Sequence, residues 1–167
     1  MDHLWTPWRS TYISSKNKQP GCIFCEASSS NEDEKALVVH RASRCFIILN
    51  RYPYTNGHLM IAPYQHASRL NDLHGDVTAE MMHLARVAER VLSLVYSPDG
   101  LNVGLNLGEA AGAGIEQHLH LHALPRWRGD ANFMTSIGNT RIVPEMLDVT
   151  YQKLAAGFHA VLANIDV

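Results

Sequence analysis

Cysteine is scarce in this sequence, long apolar runs are missing, and positive charge is not in excess. Each shortage excludes a class of protein. Three cysteines in 167 residues, two of them as the Cys22–Cys25 CxxC and the third alone at Cys45, do not make the disulfide framework of a small secreted domain. No apolar stretch approaches the ~18 residues that a membrane helix needs, so no membrane partner is expected. A formal net charge of −2 advertises no nucleic-acid surface. A local basic pocket is still compatible with it, because net charge does not report distribution. The first residues, MDHLWTPWR, lack a basic segment followed by an apolar one, so the expected location is cytoplasmic. What remains is ordinary globular composition, 46% apolar and 18% charged. That is enough apolar surface for one core, and the expectation is a single domain over 1–167 without internal repeats. Residues 1–20, with Trp5, Trp8, Arg9, Lys16 and Lys18, read either as an arm that docks on the body or a second subunit, or as a plain terminus.

Patterning gives an α+β class. Ala36 to Val39 and Cys45 to Leu49 read as short strands joined by a turn at His40 to Arg44. The preceding Ala27 to Lys35 (ASSSNEDEK) reads as a surface loop. Tyr52 to Gly57 holds Pro53, Asn56 and Gly57 and is a loop, and His58 to Ala62 resumes as a strand. Asp76 to Tyr96 is helical, with Val77, Met81, Leu84, Ala88, Val91 and Val95 on one stripe and Asp76 as the N-cap. A second helix runs from about Pro144 to Ala163, with Leu147, Tyr151, Leu154, Phe158, Val161 and Ile165 as its stripe. Gly157 inside it should cost ~1 kcal/mol relative to alanine. Leu101 to Gly108 and His118 to His122 both alternate, which predicts two strands with one apolar and one polar face. Paired as a hairpin, they put leucines under a helix and asparagines and histidines on the open side.

Ten histidines are the conspicuous surplus. His118, His120 and His122 alternate strictly with Leu119 and Leu121, so three imidazoles share one strand face. Packing alone does not explain them, since each buried ring needs a partner. Imidazole binds metal, attacks phosphorus or contacts phosphate, and spacing does not choose among these. The segment Gly108 to Gly114 (GEAAGAG) reads as a phosphate cradle of backbone N–H groups, with Gly112, Ala113 and Gly114 nearest the triad, or as a plain hairpin connection. Asn106 is either a substrate contact or a solvated asparagine. The CxxC alone is either a redox pair or half of a zinc site, which needs two more N or S ligands. Cys45 reads as core.

HLHLHAL resembles the motif His-φ-His-φ-His-φ-φ of the histidine-triad (HIT) nucleotide hydrolases and transferases. The longer AGAGIEQHLHLHALPRWRGDANFM looks like the branch that contains diadenosine tetraphosphate phosphorylases, and NRYPYTNGHLMIAPYQH is similar to the family's first sheet segments. The resemblance spans roughly Cys22 to Met134. It implies a HIT-like α+β fold, an antiparallel sheet with a long central helix and a C-terminal helix. It also implies roles. His120 would be the nucleophile on the α-phosphorus, with its second ring nitrogen bonded to a backbone carbonyl, that of His118. His122 would steady phosphate charge. Asn50 would meet the ribose, Phe46, Ile48 and Met60 would wall the base unless they are simply core, and His58 would support the site from behind. Arg126 and Trp127, with Arg128, Asp130 and Asn132 around them, would contact the acceptor or the distal nucleotide. One departure stands out: many family members carry serine or threonine three residues before the first histidine, and here that position is Ile115.

The resemblance also completes the metal set. In related triad proteins the CxxC pair joins a histidine in a Pro-x-x-His context, matching Pro63 to His66, and the first triad histidine. A structural Zn2+ on Cys22, Cys25, His66 and His118 is thereby implied. The expected activity is nucleotidyl transfer through a covalent nucleotidyl-histidine, foremost phosphorolysis of diadenosine tetraphosphate to ATP and ADP. Hydrolysis of dinucleoside polyphosphates or nucleoside phosphoramidates is the alternative, and a non-catalytic nucleotide-binding regulator the second. By the same resemblance the chain is expected to assemble as a homodimer or a higher homo-oligomer.

Overall fold

Continuous apolar runs, CFIIL and LMIAP, build the buried centre of a sheet here, and a three-to-four-residue apolar period builds the helix that covers it. The computed structural model describes residues 21–130, 137 and 145–164. The expected arm at 1–20, and Asn132, Pro144 and Ile165, lie outside them. The elements run α1 (Ile23–Ser29), α2 (Asp33–Ala36), β1 (Val38–Arg41), β2 (Cys45–Leu49), β3 (Leu59–Pro63), α3 (Gly75–Tyr96), β4 (Gly100–Leu105), β5 (Leu121–Arg126) and α4 (Leu147–Leu162). The five strands form one antiparallel sheet in the order β1-β2-β3-β5-β4. No described helix is long and apolar enough to cross a membrane.

Register decides what each face carries. Cys45, Ile47 and Leu49 pair with Pro63, Ile61 and Leu59, and the last two of these with Leu121 and Ala123. This face lies under α3, because the Cys45 thiol meets the carbonyl of Val77. The opposite face carries Ile48, Met60 and His122 in one register row, with Phe46 beside Ala62. Helix α3 buries Val77, Met81, Leu84, Ala88 and Val91, the stripe expected from the sequence. Helix α4 packs on α3 and reaches β1. Gly157 is what allows the close approach: a Cβ there would sit 2.9 Å from Val95 Cγ2 and 3.0 Å from Val91 Cγ1. The side chain of Glu145 then ties the two helices together, accepting hydrogen bonds from the Tyr96 hydroxyl, Thr150 and Lys153.

Four expectations need correction. Ala27 to Lys35 is not a loop: α1 ends inside it and α2 begins inside it. Its polar composition conceals an anchor from outside, the Arg41 guanidinium. That group donates to the carbonyls of Ala27, Ser28 and Ser30 and to the Asp33 carboxylate. The N-cap of α3 is His74, not Asp76, which lies in the first turn and pairs with Arg44 and His74. The apolar face of β4 is not wholly covered. Val103 pairs with Ala123, yet it is 47% exposed because β4 is the edge strand, beyond the reach of the helices. Finally, β5 begins at Leu121, so only His122 of the three histidines belongs to the ladder, and His118 and His120 lie in the segment leading into it.

Candidate active site and metal cluster

His118 is fully buried, and its two ring nitrogens face different partners. Nε2 lies 2.9 Å from the carbonyl oxygen of Pro63. A carbonyl only accepts, so Nε2 carries the hydrogen and Nδ1 keeps its lone pair. That lone pair faces the Cys22 sulfur at 3.2 Å and the Cys25 sulfur at 3.6 Å. His66 brings its own Nδ1 to 3.2 Å from the Cys25 sulfur. The four donor atoms lie within 4.8 Å of one another. Burial and then the neighbouring Cys22 push the Cys25 thiol pKa up, so a second thiolate is disfavoured here without a cation. Two thiols and two imidazoles, one with its tautomer fixed by a second partner, are the donor set that suits zinc.

His120 sits two residues on and is nearly buried. Its Nδ1 donates to the carbonyl of His118 at 2.8 Å, which leaves Nε2 with the lone pair. Burial lowers its pKa below the usual histidine range, only partly offset by that hydrogen bond. A neutral imidazole with a fixed tautomer is what nucleophilic attack on phosphorus requires. Phe24 closes one side, its ring centroid 4.8 Å from His120 and 5.1 Å from His118. His122 stands edge-on to His120 at 4.8 Å, and its Nδ1 lies 2.9 Å from Nε2 of His58. His58 is buried, and its Nδ1 meets the Asn50 amide nitrogen and the backbone N–H of Tyr54, each at 3.2 Å.

The remaining sequence candidates divide. Ile48 and Met60 share a register row with His122, and both are nearly buried. Phe46 is fully buried and stacks on Tyr64, as a core residue does. The amides of Gly112 and Ala113, expected in a phosphate cradle, are engaged inside their own loop by the carbonyls of Glu109 and Gly108. In this conformation the loop is a self-bonded connection, with Gly108 and Gly112 at positive φ. Asn106 reaches across it to the Gly112 carbonyl at 3.5 Å. Ile115 packs against the core, so the site has no hydroxyl at that position. Arg126 pairs with the Asp130 carboxylate through two hydrogen bonds and donates a third to the Asn102 side-chain oxygen. Trp127 meets the ring of Tyr96, at the end of α3, rather than the triad.

Reading the sequence missed three contributors. Phe24 was hidden between the two cysteines, where only the spacing of the thiols drew notice. Arg41, which fastens α1 and hence both thiols to β1, carries no local signal. The Tyr54 backbone N–H is invisible to any motif.

Known proteins resemble this chain in sequence and in fold. The HIT domain family matches residues 31–129. The AP-4-A phosphorylase of Mycobacterium tuberculosis is 42% identical over 163 residues, covering 93% of this chain and 83% of that protein. The adenylylsulfatase HINT3 of Arabidopsis thaliana is 28% identical over 118 residues, 71% of this chain and 58% of that protein. Among solved structures, a Zn-bound histidine triad family protein from Mycobacterium smegmatis superimposes with a TM-score of 0.70 at 25% identity, covering 87% of this chain and 98% of its own.

Proposed function

Since the chain belongs to the HIT family and is an enzyme of that family, we propose that it transfers an adenylyl group through His120, by phosphorolysis of diadenosine tetraphosphate to ATP and ADP. The observation that carries this reading is the bond from His120 Nδ1–H to the His118 carbonyl, because it assigns the lone pair of the neutral ring, which burial favours, to Nε2. The substrate is supported by the 42% identity to a protein named AP-4-A phosphorylase.

In the first step the Nε2 lone pair attacks the α-phosphorus. The bridging P–O bond breaks, and its electron pair leaves on the terminal phosphate oxygen of ATP. Nδ1 keeps its hydrogen throughout, and the His118 carbonyl stabilises the positive ring that forms. His122 lies beside the reacting ring, where an imidazole contacts the phosphate oxygens. In the second step an oxygen of inorganic phosphate attacks the same phosphorus, the P–N bond breaks, and its pair returns to Nε2 as ADP departs. Asn50 for the ribose and Ile48 and Met60 for the base complete the reading.

Cys22, Cys25, His66 and His118 would hold a structural Zn2+, which supplies four closed bonds and no chemistry on the substrate. The fit rests on the lone pair that Pro63 leaves on His118 Nδ1. Free thiols of this kind belong in the cytoplasm, where they stay reduced. A homodimer is supported by the half-exposed apolar residues Val103 and Leu107 at and beyond the β4 edge, which a second copy would cover.

Incubation of diadenosine tetraphosphate with 32P-labelled inorganic phosphate tests the reaction. Labelled ADP together with unlabelled ATP is the expected result. AMP with no label in any nucleotide overturns phosphorolysis and establishes hydrolysis. Nucleotide affinity with no turnover establishes the binding-protein reading.

A further inference from the structure

Asn50 enters the account above as a ribose contact, but its side chain is already committed to another task. Its Oδ1 accepts the backbone N–H of Tyr52 at 2.9 Å, which fixes the orientation of the amide. The Nδ2 group therefore points its hydrogens at His58 Nδ1, 3.2 Å away. The backbone N–H of Tyr54 reaches the same ring nitrogen, also at 3.2 Å. Two N–H donors converging on one ring nitrogen require it to hold a lone pair. The hydrogen of a neutral His58 must then sit on Nε2, the atom 2.9 Å from His122 Nδ1. His122 Nδ1 accepts it, and the hydrogen of His122 is left on its own Nε2.

We propose that Asn50 is a positioning residue that acts through His58 to set the tautomer of His122, so that the phosphate meets an N–H and not a lone pair. The proposal rests on the adenylyl-transfer reading for its consequence, not for its geometry. The alternative His58 tautomer would aim an N–H at two other N–H groups. It would also make His122 the donor to His58 and turn a lone pair toward the phosphate oxygens, which repels them. Tyr54 contributes through its backbone, so Asn50 is the side chain in this chain of contacts open to substitution. A ribose contact and a tautomer lock are distinct roles with distinct signatures. The first depends on sugar hydroxyls, and the second does not.

The experiment compares Asn50→Leu and Asn50→Ala with the unaltered protein on diadenosine tetraphosphate and on its bis(2′,3′-dideoxyadenosine) analogue. Long-range 1H–15N spectra of the imidazoles accompany it, with His122 assigned by its loss in His122→Asn. The expected result is a fall in kcat of roughly tenfold or more on both substrates, the order seen when an outer partner of a functional imidazole is removed. The His122 signals should move from a pure Nε2–H pattern to a mixture of tautomers. An unchanged His122 tautomer in both variants overturns the proposal whatever the rates. So does a rate loss confined to the ribose-bearing substrate, which makes Asn50 a sugar contact alone. The spectra need no turnover, so an unaltered protein inactive on the tetraphosphate overturns the adenylyl-transfer reading without touching this one. If Asn50→Leu does not fold, the smaller Asn50→Ala decides alone.

Discussion

His118 and His120 are joined by one hydrogen bond, Nδ1 of the second ring to the carbonyl of the first, 2.8 Å long. The ring of His118 meanwhile belongs to the thiol cluster. One residue therefore faces the candidate metal with its side chain and the candidate nucleophile with its backbone. Whatever holds the His118 ring still also holds the acceptor of the His120 hydrogen.

Replacement of the nucleophile gives the first prediction. His120→Ala should lower turnover by at least about 10³-fold while nucleotide binding persists, since a residue that forms the covalent bond has no substitute. The unaltered protein, mixed briefly with labelled substrate and quenched in base, should carry label that acid releases, as a P–N bond requires. Residual turnover close to the unaltered rate in the alanine variant excludes the covalent route.

Metal content is the second. Protein purified without added metal should contain one zinc per chain by elemental analysis. Cys25→Ser should lose the metal and destabilise the fold by about 4 kcal/mol, the range reached when a structural metal is lost. A metal-free sample that melts at the same temperature as the loaded one is the contrary result.

Acid sensitivity supplies the third. His40 stacks on Phe158 with ring centroids 5.9 Å apart, and burial lowers its pKa below the usual histidine value, partly opposed by the charge of Glu80. The folded state thus binds fewer protons than the unfolded state in the window between the lowered pKa and about 6.5. Stability therefore rises with pH across that window and is lost as pH falls through it. His40→Gln, neutral at every pH, should flatten the urea-stability profile as pH falls below about 6.5. An identical slope in both proteins counts against it.

Gly157→Ala is the fourth, and here local propensity and packing disagree. Helix propensity alone favours alanine by ~1 kcal/mol. The added methyl, however, would press on Val95 and Val91, short β-branched side chains with little freedom to yield. Overpacking of this kind costs about 1–3 kcal/mol, so the expected net effect is destabilisation of up to about 2 kcal/mol. A higher melting temperature for the variant would show that the helices separate at little cost.

Much of the candidate site is legible in the sequence because its signals are local. Strict alternation at 118, 120 and 122 and the two-residue gap between Cys22 and Cys25 survive in one dimension, and so does the apolar stripe of α3. What stayed hidden depends on distant chain. Arg41 organises α1 and α2 from a strand that follows them, so ASSSNEDEK looked like a loop. Val103 alternates like a buried residue, yet the sheet ends there, and no pattern within β4 says which strand is last. Gly112 and Ala113 have the small size of a cradle, but the bonds of their own loop decide where their amides point. His58 was found through the family pattern, whereas its link to Asn50 needs the eight-residue excursion between them to fold back.

The thiols and their imidazole partner stand far apart along the chain: Cys25 precedes His118 by 93 residues. During synthesis the two thiols emerge from the ribosome long before the ring that will face them exists. Closing so wide a loop carries an entropic penalty that only an almost completed sheet can offset. The cluster can therefore close only late in assembly, once the chain that leads into β5 has reached its place beside β3.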